Sequence, residues 1–574
     1  MPLCRAIVCV CLALSLGGCP TDGSGPEADA GITLDEGPPA AHVVAAVPLP
    51  AVRTQDGVLP TSGVCAACHA GASGSTAMRD VAGRSVAPFD LWRASLMANA
   101  ARDPIFLAQV AAETKHAPPA AEAIETACLS CHSPLLARRR AGSASPALRM
   151  IELFTDTDDA SRALDGVSCA TCHRIAPQNL ETQASFDGNY TLGPDDVIYG
   201  PFPDPLTAPM QRHTGFVPTY GAHIRDSSVC GTCHTLTTHA LRPDGQPTGA
   251  AFDEQLTYIE WRASLQGTSG ISCQSCHMPA KDEDGVSIST TLARQPDGSD
   301  FANLPARNPY GRHVFVGGNS LVLALLRDEP LLGADAPPEA FDAAIAEVNR
   351  LMTRVAAVDI GQVRQEGDNL IVPVRARPLT GHKLPTGYPA RRVVLHVRVL
   401  DGAGDVVFET GRLDSLGRIV DAAGNLLPGE TLDGEFLPHV DVISDSATAQ
   451  VWEEVPGDDS GVPTTLLLAS NVMLKDNRLL PQGFLRDTPD GQRAGAKGVG
   501  DDNDFDGDGD TVDIVVSNRA GAASIEVELL YQTLSPRWRE GLHAADTPWG
   551  DALEEMLQRA DVSPKVLASD RGSL

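Results

Sequence analysis

Ten cysteines and five histidines fall into one repeated pattern, Cys-x-x-Cys-His: Cys65/Cys68/His69, Cys128/Cys131/His132, Cys169/Cys172/His173, Cys230/Cys233/His234 and Cys273/Cys276/His277. Two thiols three positions apart can reach the two vinyl groups of one porphyrin, and the adjoining histidine can turn onto the iron's proximal face. This is the c-type haem attachment signature. A zinc site or a redox disulfide is the alternative chemistry for a Cys-x-x-Cys pair. The remaining four of the 14 cysteines, Cys4, Cys9, Cys11 and Cys19, lie within the first 19 residues, so no thiol downstream is left for a disulfide. Five complete motifs in one chain therefore predict five covalently bound haems. The steps between motifs, 63, 41, 61 and 43 residues, alternate long and short and suggest a duplicated two-haem unit.

Each iron then needs a sixth ligand or an open face, and this choice separates an electron carrier from an enzyme. Outside the motifs and the leader the candidates are His116, His213, His223, His239, His313, His382, His396, His439 and His543. His223 and His239 flank the fourth motif, His213 lies just upstream in a Pro-rich loop, and His313 sits in Tyr-Gly-Arg-His-Val-Phe after the last motif. These four are the preferred distal ligands, with His223 and His313 first. Trp92-Arg93-Ala94-Ser95-Leu96-Met97 recurs in part as Trp261-Arg262-Ala263-Ser264-Leu265-Gln266. Met97 is either core packing or an axial thioether, which would raise that haem's potential.

Residues 61 to about 320 resemble the multihaem cytochrome superfamily that includes hydroxylamine oxidoreductase and its tetrahaem electron-accepting cytochrome. In that family a Trp-x-x-Ser-x-His-Ala segment often supplies a distal histidine. The resemblance therefore implies a ligand role for Met97, which stands at the His position, and none for Gln266. Most of the mature chain also resembles a bacterial group of exported cytochromes that join such a region to a β-rich C-terminal half. The shared motifs are Asp165-Gly166-Val167-Ser168-Cys169, Cys276-His277-Met278-Pro279, Gly381-His382-Lys383-Leu384-Pro385-Thr386-Gly387 and Lys475-Asp476-Asn477-Arg478-Leu479-Leu480-Pro481.

The C-terminal half carries two further candidates. His382 is a turn element or a ligand donated to a haem across a domain interface, the structural reading being preferred, and His439 has the same ambiguity. Asp502, Asp504, Asp506, Asp508, Asp510 and Asp513 fall at positions 1, 3, 5, 7, 9 and 12 of a loop with Gly507 at 6, the calcium-loop spacing with Asp in place of the terminal Glu. The alternatives are a Ca2+ site, in which Asp502, Asp504, Asp506, Asp508 and Asp513 are the ligands, and a solvated acidic loop.

These groups have to be positioned by a chain of 574 residues with a net charge of -30, a charge that disfavours nucleic acid. Met1 to Gly18 has one early cation, Arg5, and the apolar run Ala6 to Leu16, the layout of a secretory signal. Leu16-Gly17-Gly18-Cys19 resembles a lipobox, which implies lipidation at Cys19 and a membrane-anchored lipoprotein facing the periplasm or cell surface. The expected order is signal peptide 1–19, disordered tether 20–60, pentahaem cytochrome domain 61–325, helical connector 326–359, β-rich sandwich-like domain 360–535 and C-terminal tail with a short helix 536–574. An amphipathic helix is expected from Leu91 to about Ala101, with a new helix starting at Asp103-Pro104. The fold class is α+β multidomain: a mainly helical, loop-rich pentahaem region followed by a β-sandwich-like one. The leading functional expectation is a relay of electrons between redox protein partners; the alternative is an oxidoreductase acting on a small nitrogen or sulfur compound at one open haem.

Overall fold

In the computed structural model, which describes residues 51–54, 57–517 and 521–574, the alternation of Val372, Val374 and Ala376 with Arg375 and Arg377 becomes the strand Asn369–Pro378. The apolar side is buried, as a period of two requires when one face meets a core. This strand lies between Asp510–Ser517 and Ala356–Ile360, with Val442–Ile443 beyond and Arg364–Glu366 folded back on it. A second sheet runs Val472–Asp476, Val451–Gly457, Arg392–Asp401, Ala522–Gln532, Lys565–Ser573, with Val406–Thr410 also on Arg392–Asp401. Val372, Val374, Val512 and Ile514 of one sheet share a single hydrophobic core with Leu395, Val397, Val527 and Leu529 of the other. Burying each such side chain contributes about 1.5–3 kcal/mol, which makes this paired-sheet core the largest apolar reservoir in the β-rich half.

The helical half is built from short pieces, and the whole is an α+β mixture as expected. Helices Ser62–His69, Ala121–His132, Cys169–His173 and Cys273–His277 each end on a motif histidine, whereas Ser228–Gly231 stops before His234. Helix Pro104–His116 starts as predicted: Asp103 accepts from Ile105 N at 2.9 Å and Phe106 N at 3.4 Å, and Pro104 takes the first position. Its buried Leu107 belongs to the same core as Leu553 and Leu557 of the C-terminal helix Pro548–Arg559.

Several expectations are corrected. The helix expected from Leu91 to Ala101 is only Pro88–Trp92, followed by turns. Ser95 Oγ donates to Trp92 O at 2.7 Å and Asn99 Nδ2 to Ser95 O at 2.8 Å, so side chains take carbonyls a helix would use. The stretch ending at residue 60, expected as tether, contains the hairpin Val52–Thr54/Gly57–Leu59, and Leu59 is buried beside Leu135 and Ile175. Segment 536–574 is more than a tail: it holds helices Pro536–Ala544 and Pro548–Arg559 and the strand Lys565–Ser573, which pairs with Ala522–Gln532. The leader, Cys19 and the tether up to residue 50 lie outside the described residues. Among those described, no helix is long and apolar enough to cross a membrane.

The two Trp-Arg-Ala-Ser-Leu segments are structural equivalents, but the unit they mark pairs the first motif with the third and the fourth with the fifth. Ser62 Oγ accepts from Cys169 N at 3.2 Å, and Ser227 Oγ accepts from Cys273 N at 3.0 Å. Trp92 Nε1 donates to Val167 O at 3.0 Å, and Trp261 Nε1 to Ile271 O at 2.9 Å. Val167 N returns to Met97 O at 2.8 Å, and Ile271 N to Gln266 O at 2.9 Å. Gly166 has φ 57° and Gly270 φ 70° in the turn before each pair's second motif. A β-carbon on Gly166 would sit 2.4 Å from Ala98 O, which explains the glycine of Asp165-Gly166-Val167-Ser168. The duplication suggested by the spacing thus has a different phase, with the second motif inserted into the first copy.

Candidate metal centres

Four of the five motif histidines are held in one manner. Nδ1 of His69 lies 2.9 Å from Leu292 O, His132 2.8 Å from Ala100 O, His173 2.7 Å from Tyr199 O and His277 2.5 Å from Val316 O. A carbonyl can only accept, so in each ring the proton sits on Nδ1 and Nε2 carries the lone pair. Metal-ligating histidines are oriented in this way. His234 departs from the pattern and has Gln255 as its polar neighbour. Burial lowers the pKa of all five rings, that of His132 to about 4, which keeps them in the neutral form a metal needs.

Two of these rings face a second imidazole. His173 and His313 have centroids 6.3 Å apart and planes 22° from parallel; His277 and His382 stand at 6.3 Å and 21°. A metal bonded to both rings at about 2 Å each would occupy that spacing, the rest being the half-widths of the rings. Burial carries His313 down to about 3 and His382 to about 4.

The ten motif cysteines form no disulfide among the described residues. Thiols of different motifs lie against one another instead: Cys65 with Cys169, Cys131 with Cys233, and Cys230 with Cys273. Cys172 also lies near Cys233, whose ionised form would add to the burial that raises the Cys172 thiol. The motifs therefore connect as first, third, fourth and fifth in a line, with the second joined at the fourth.

The other expected ligands are placed differently. His223 lies behind the third motif, its Nε2 2.8 Å from Ile175 O and its ring edge-on to Tyr199. His213, near the end of helix Thr207–Thr214, and His239, on strand Leu236–Leu241, are exposed. Met97 is half-buried and takes part through its backbone carbonyl, while Gln266 Oε1 is buried without a hydrogen-bond partner. His116 Nε2 lies 3.3 Å from Leu241 O, and His396 sits between Glu409 and Glu528 on a strand face.

His382, expected first as a turn element, is carried by a seam that explains two of the shared motifs. Lys383 N donates to Glu260 Oε2 at 3.2 Å and its Nζ meets Asp476 Oδ2 at 2.5 Å. Arg478 pairs with Asp476 at 2.8 Å, Glu454 at 3.1 Å and Glu260 at 3.0 Å, the last off the hydrogen-bonding direction. Thr386 Oγ1 donates to Glu260 Oε2 at 2.5 Å, and Leu384 and Leu479 exchange two backbone bonds of 3.0 Å. Burial opposes the Asp476 carboxylate, but Arg478 and Lys383 outweigh it and hold its pKa below the usual range. Burial raises Glu454 to about 8 despite Arg478. The sequence signal was an isolated histidine between glycine and a buried lysine; its partners lie about 120 residues before and 90 after it, where no spacing rule reaches.

The acidic loop does not gather as a calcium loop. Asp504 and Asp506 turn to Arg375, each at 3.6 Å, Asp508 is exposed, and Asp513 pairs across the sheet with Arg364 at 2.8 Å. Arginines supply the positive charge, and Phe505 is buried to anchor the turn. Asp502 and Asp510 converge around His439, and the Asp502 and Asp504 carboxyls also lie against each other. His439 Nδ1 receives amide donors from Gln450 at 2.7 Å and Asn477 at 3.1 Å, so the proton is on Nε2, which faces Asp502 at 3.1 Å. A ring protonated there donates to carboxylates and has no lone pair for a metal.

No family model matches the chain, and no curated protein matches it. A solved structure, that of a penta-haem cytochrome c552 from Thermochromatium tepidum, is similar with a TM-score of 0.42 and 16% identity, covering 78% of this chain and 83% of that chain.

Proposed function

We propose that this chain is a multihaem c-type cytochrome that binds five haems and relays electrons between redox protein partners. The observation that carries the reading is the common geometry at His69, His132, His173 and His277: Nδ1–H spent on a backbone carbonyl, Nε2 available, and two unpaired motif thiols alongside. The residues fit a covalently held iron porphyrin. Cys65/Cys68, Cys128/Cys131, Cys169/Cys172, Cys230/Cys233 and Cys273/Cys276 would form the thioethers, and His69, His132, His173, His234 and His277 the proximal bonds. When bound, haem supplies one-electron chemistry; the protein sets its potential through ligands, burial and hydrogen bonds. His313 is assigned as the second ligand opposite His173. The contact of each motif with another favours a relay, because it leaves little protein between neighbouring centres. The lipobox-like Leu16-Gly17-Gly18-Cys19 supports anchorage at a membrane outside the cytoplasm.

Covalent haem content by intact mass and pyridine haemochromogen assay tests the number, five per chain being expected. EPR of the oxidised protein separates the two functional readings. Low-spin signals throughout support the relay. A high-spin ferric signal that shifts on adding nitrite, hydroxylamine or sulfite would replace it with an oxidoreductase acting at an open haem.

A further inference from the structure

We infer that His382, carried by the β-rich half, is the second axial ligand of the haem held by Cys273, Cys276 and His277. The inference rests on the multihaem reading above and deepens it at one centre. The imidazoles of His277 and His382 repeat the spacing and tilt of His173 and His313, 6.3 Å and 21° against 6.3 Å and 22°, although the two partners come from unrelated parts of the fold. His277 gives its Nδ1–H to Val316 O at 2.5 Å and His382 gives its own to Lys383 O at 2.8 Å. Both rings therefore hold a lone pair on Nε2, as a metal bound between them requires.

The loop that carries His382 is fixed from several sides. Thr380 Oγ1 donates to His382 O at 2.6 Å, Lys383 is tied to Glu260 and Asp476, and Thr386 meets Thr257 at 3.0 Å. Glu260 and Thr257 lie on helix Thr257–Arg262, shortly before the fifth motif, so the seam registers the β-rich half against that motif. In the repeat the fifth motif corresponds to the third, so His382 stands to His277 as His313 stands to His173. The second copy has Gln266 where the first has Met97, and Gly381 packs so closely on it that a β-carbon there would sit 3.2 Å from Gln266 Cβ. The β-rich half thus seats its loop on the second Trp-Arg-Ala-Ser-Leu segment and delivers there the imidazole that His313 supplies at the third motif. Its role at the fifth motif is coordination as well as packing.

The test uses the full-length mature protein and its His382→Ala and His382→Met variants. Haem content is measured first. Fewer than five covalent haems in the unsubstituted protein overturns the five-haem reading itself, independently of His382. With five haems present, His382→Ala should convert one low-spin ferric centre in five to high spin, and added imidazole should restore it. His382→Met should raise one of the five midpoint potentials, since thioether ligation does so. Lys383→Met, which disturbs the loop but keeps the imidazole, should leave the spin states as in the unsubstituted protein. Should His382→Ala fail to accumulate, the potential shift in His382→Met decides. Five haems with unchanged EPR and unchanged potentials in the His382 variants would overturn the assignment.

Discussion

Arg478 of the β-rich half meets Glu260 of the helical half at 3.0 Å, with both side chains buried. The same guanidinium pairs with Asp476 and Glu454, so one cation faces three acidic side chains, of which burial pushes Glu454 up to about 8. Removing one partner of a buried ion pair costs about 3–5 kcal/mol because the other charge is stranded. Arg478→Met should therefore lower unfolding stability by at least that amount, read from the midpoint of a guanidinium titration. Arg398→Met, at a partly exposed pair with Glu526, should cost under about 1 kcal/mol.

The paired serines make a comparative prediction. Ser227→Ala leaves the Cys273 N–H without its acceptor, a loss of about 1–3 kcal/mol. Ser62→Ala should cost more, because Ser62 Oγ also donates to Asp165 Oδ2 at 3.0 Å. Chemical denaturation of the two variants checks the order, and equal costs would contradict the asymmetry between the two copies.

What was legible in the sequence follows the range of the interactions. The five motifs are local, and the strands Arg392–Asp401 and Ala522–Gln532 announce themselves by runs of β-branched residues. The helix expected after Leu91 failed because Ser95 and Asn99 compete for its carbonyls, a choice periodicity does not record. The phase of the repeat was hidden because Ser62 and Cys169 stand 107 residues apart. His382 was hidden for a similar reason: its loop takes its meaning from Glu260 and Asp476, neither near it in the chain.

Buried acids set a pH dependence. Burial raises Glu113 to about 7, against hydrogen bonds from Gln109, Leu468 and Leu467, and raises Asp165 to about 7 despite Ser62. A carboxyl whose folded pKa exceeds its unfolded value binds more protons when folded, so stability falls as pH climbs from about 4 toward 7. For Glu113 the contribution lost is roughly 3 kcal/mol. Urea midpoints should decline between pH 5 and pH 8, and Glu113→Gln should flatten that slope while lowering stability at pH 5. A slope identical to that of the unsubstituted protein would remove Glu113 from the account.

The acidic loop gives the last prediction, and it runs against the spacing of its aspartates. A calcium loop needs its carboxylates to converge on one centre, and ion binding to the folded state alone would raise stability with concentration. Here Asp504 and Asp506 turn to Arg375 and Asp513 to Arg364, so part of the loop's negative charge is already met by arginines of the protein. Removing divalent ions with a chelator, then adding millimolar Ca2+, should leave the thermal midpoint unchanged. Arg375→Ala should leave the loop more negative and make it sensitive to Ca2+, since Asp504 and Asp506 both lose the guanidinium they face. A midpoint that rises with Ca2+ in the unsubstituted protein would restore the calcium reading.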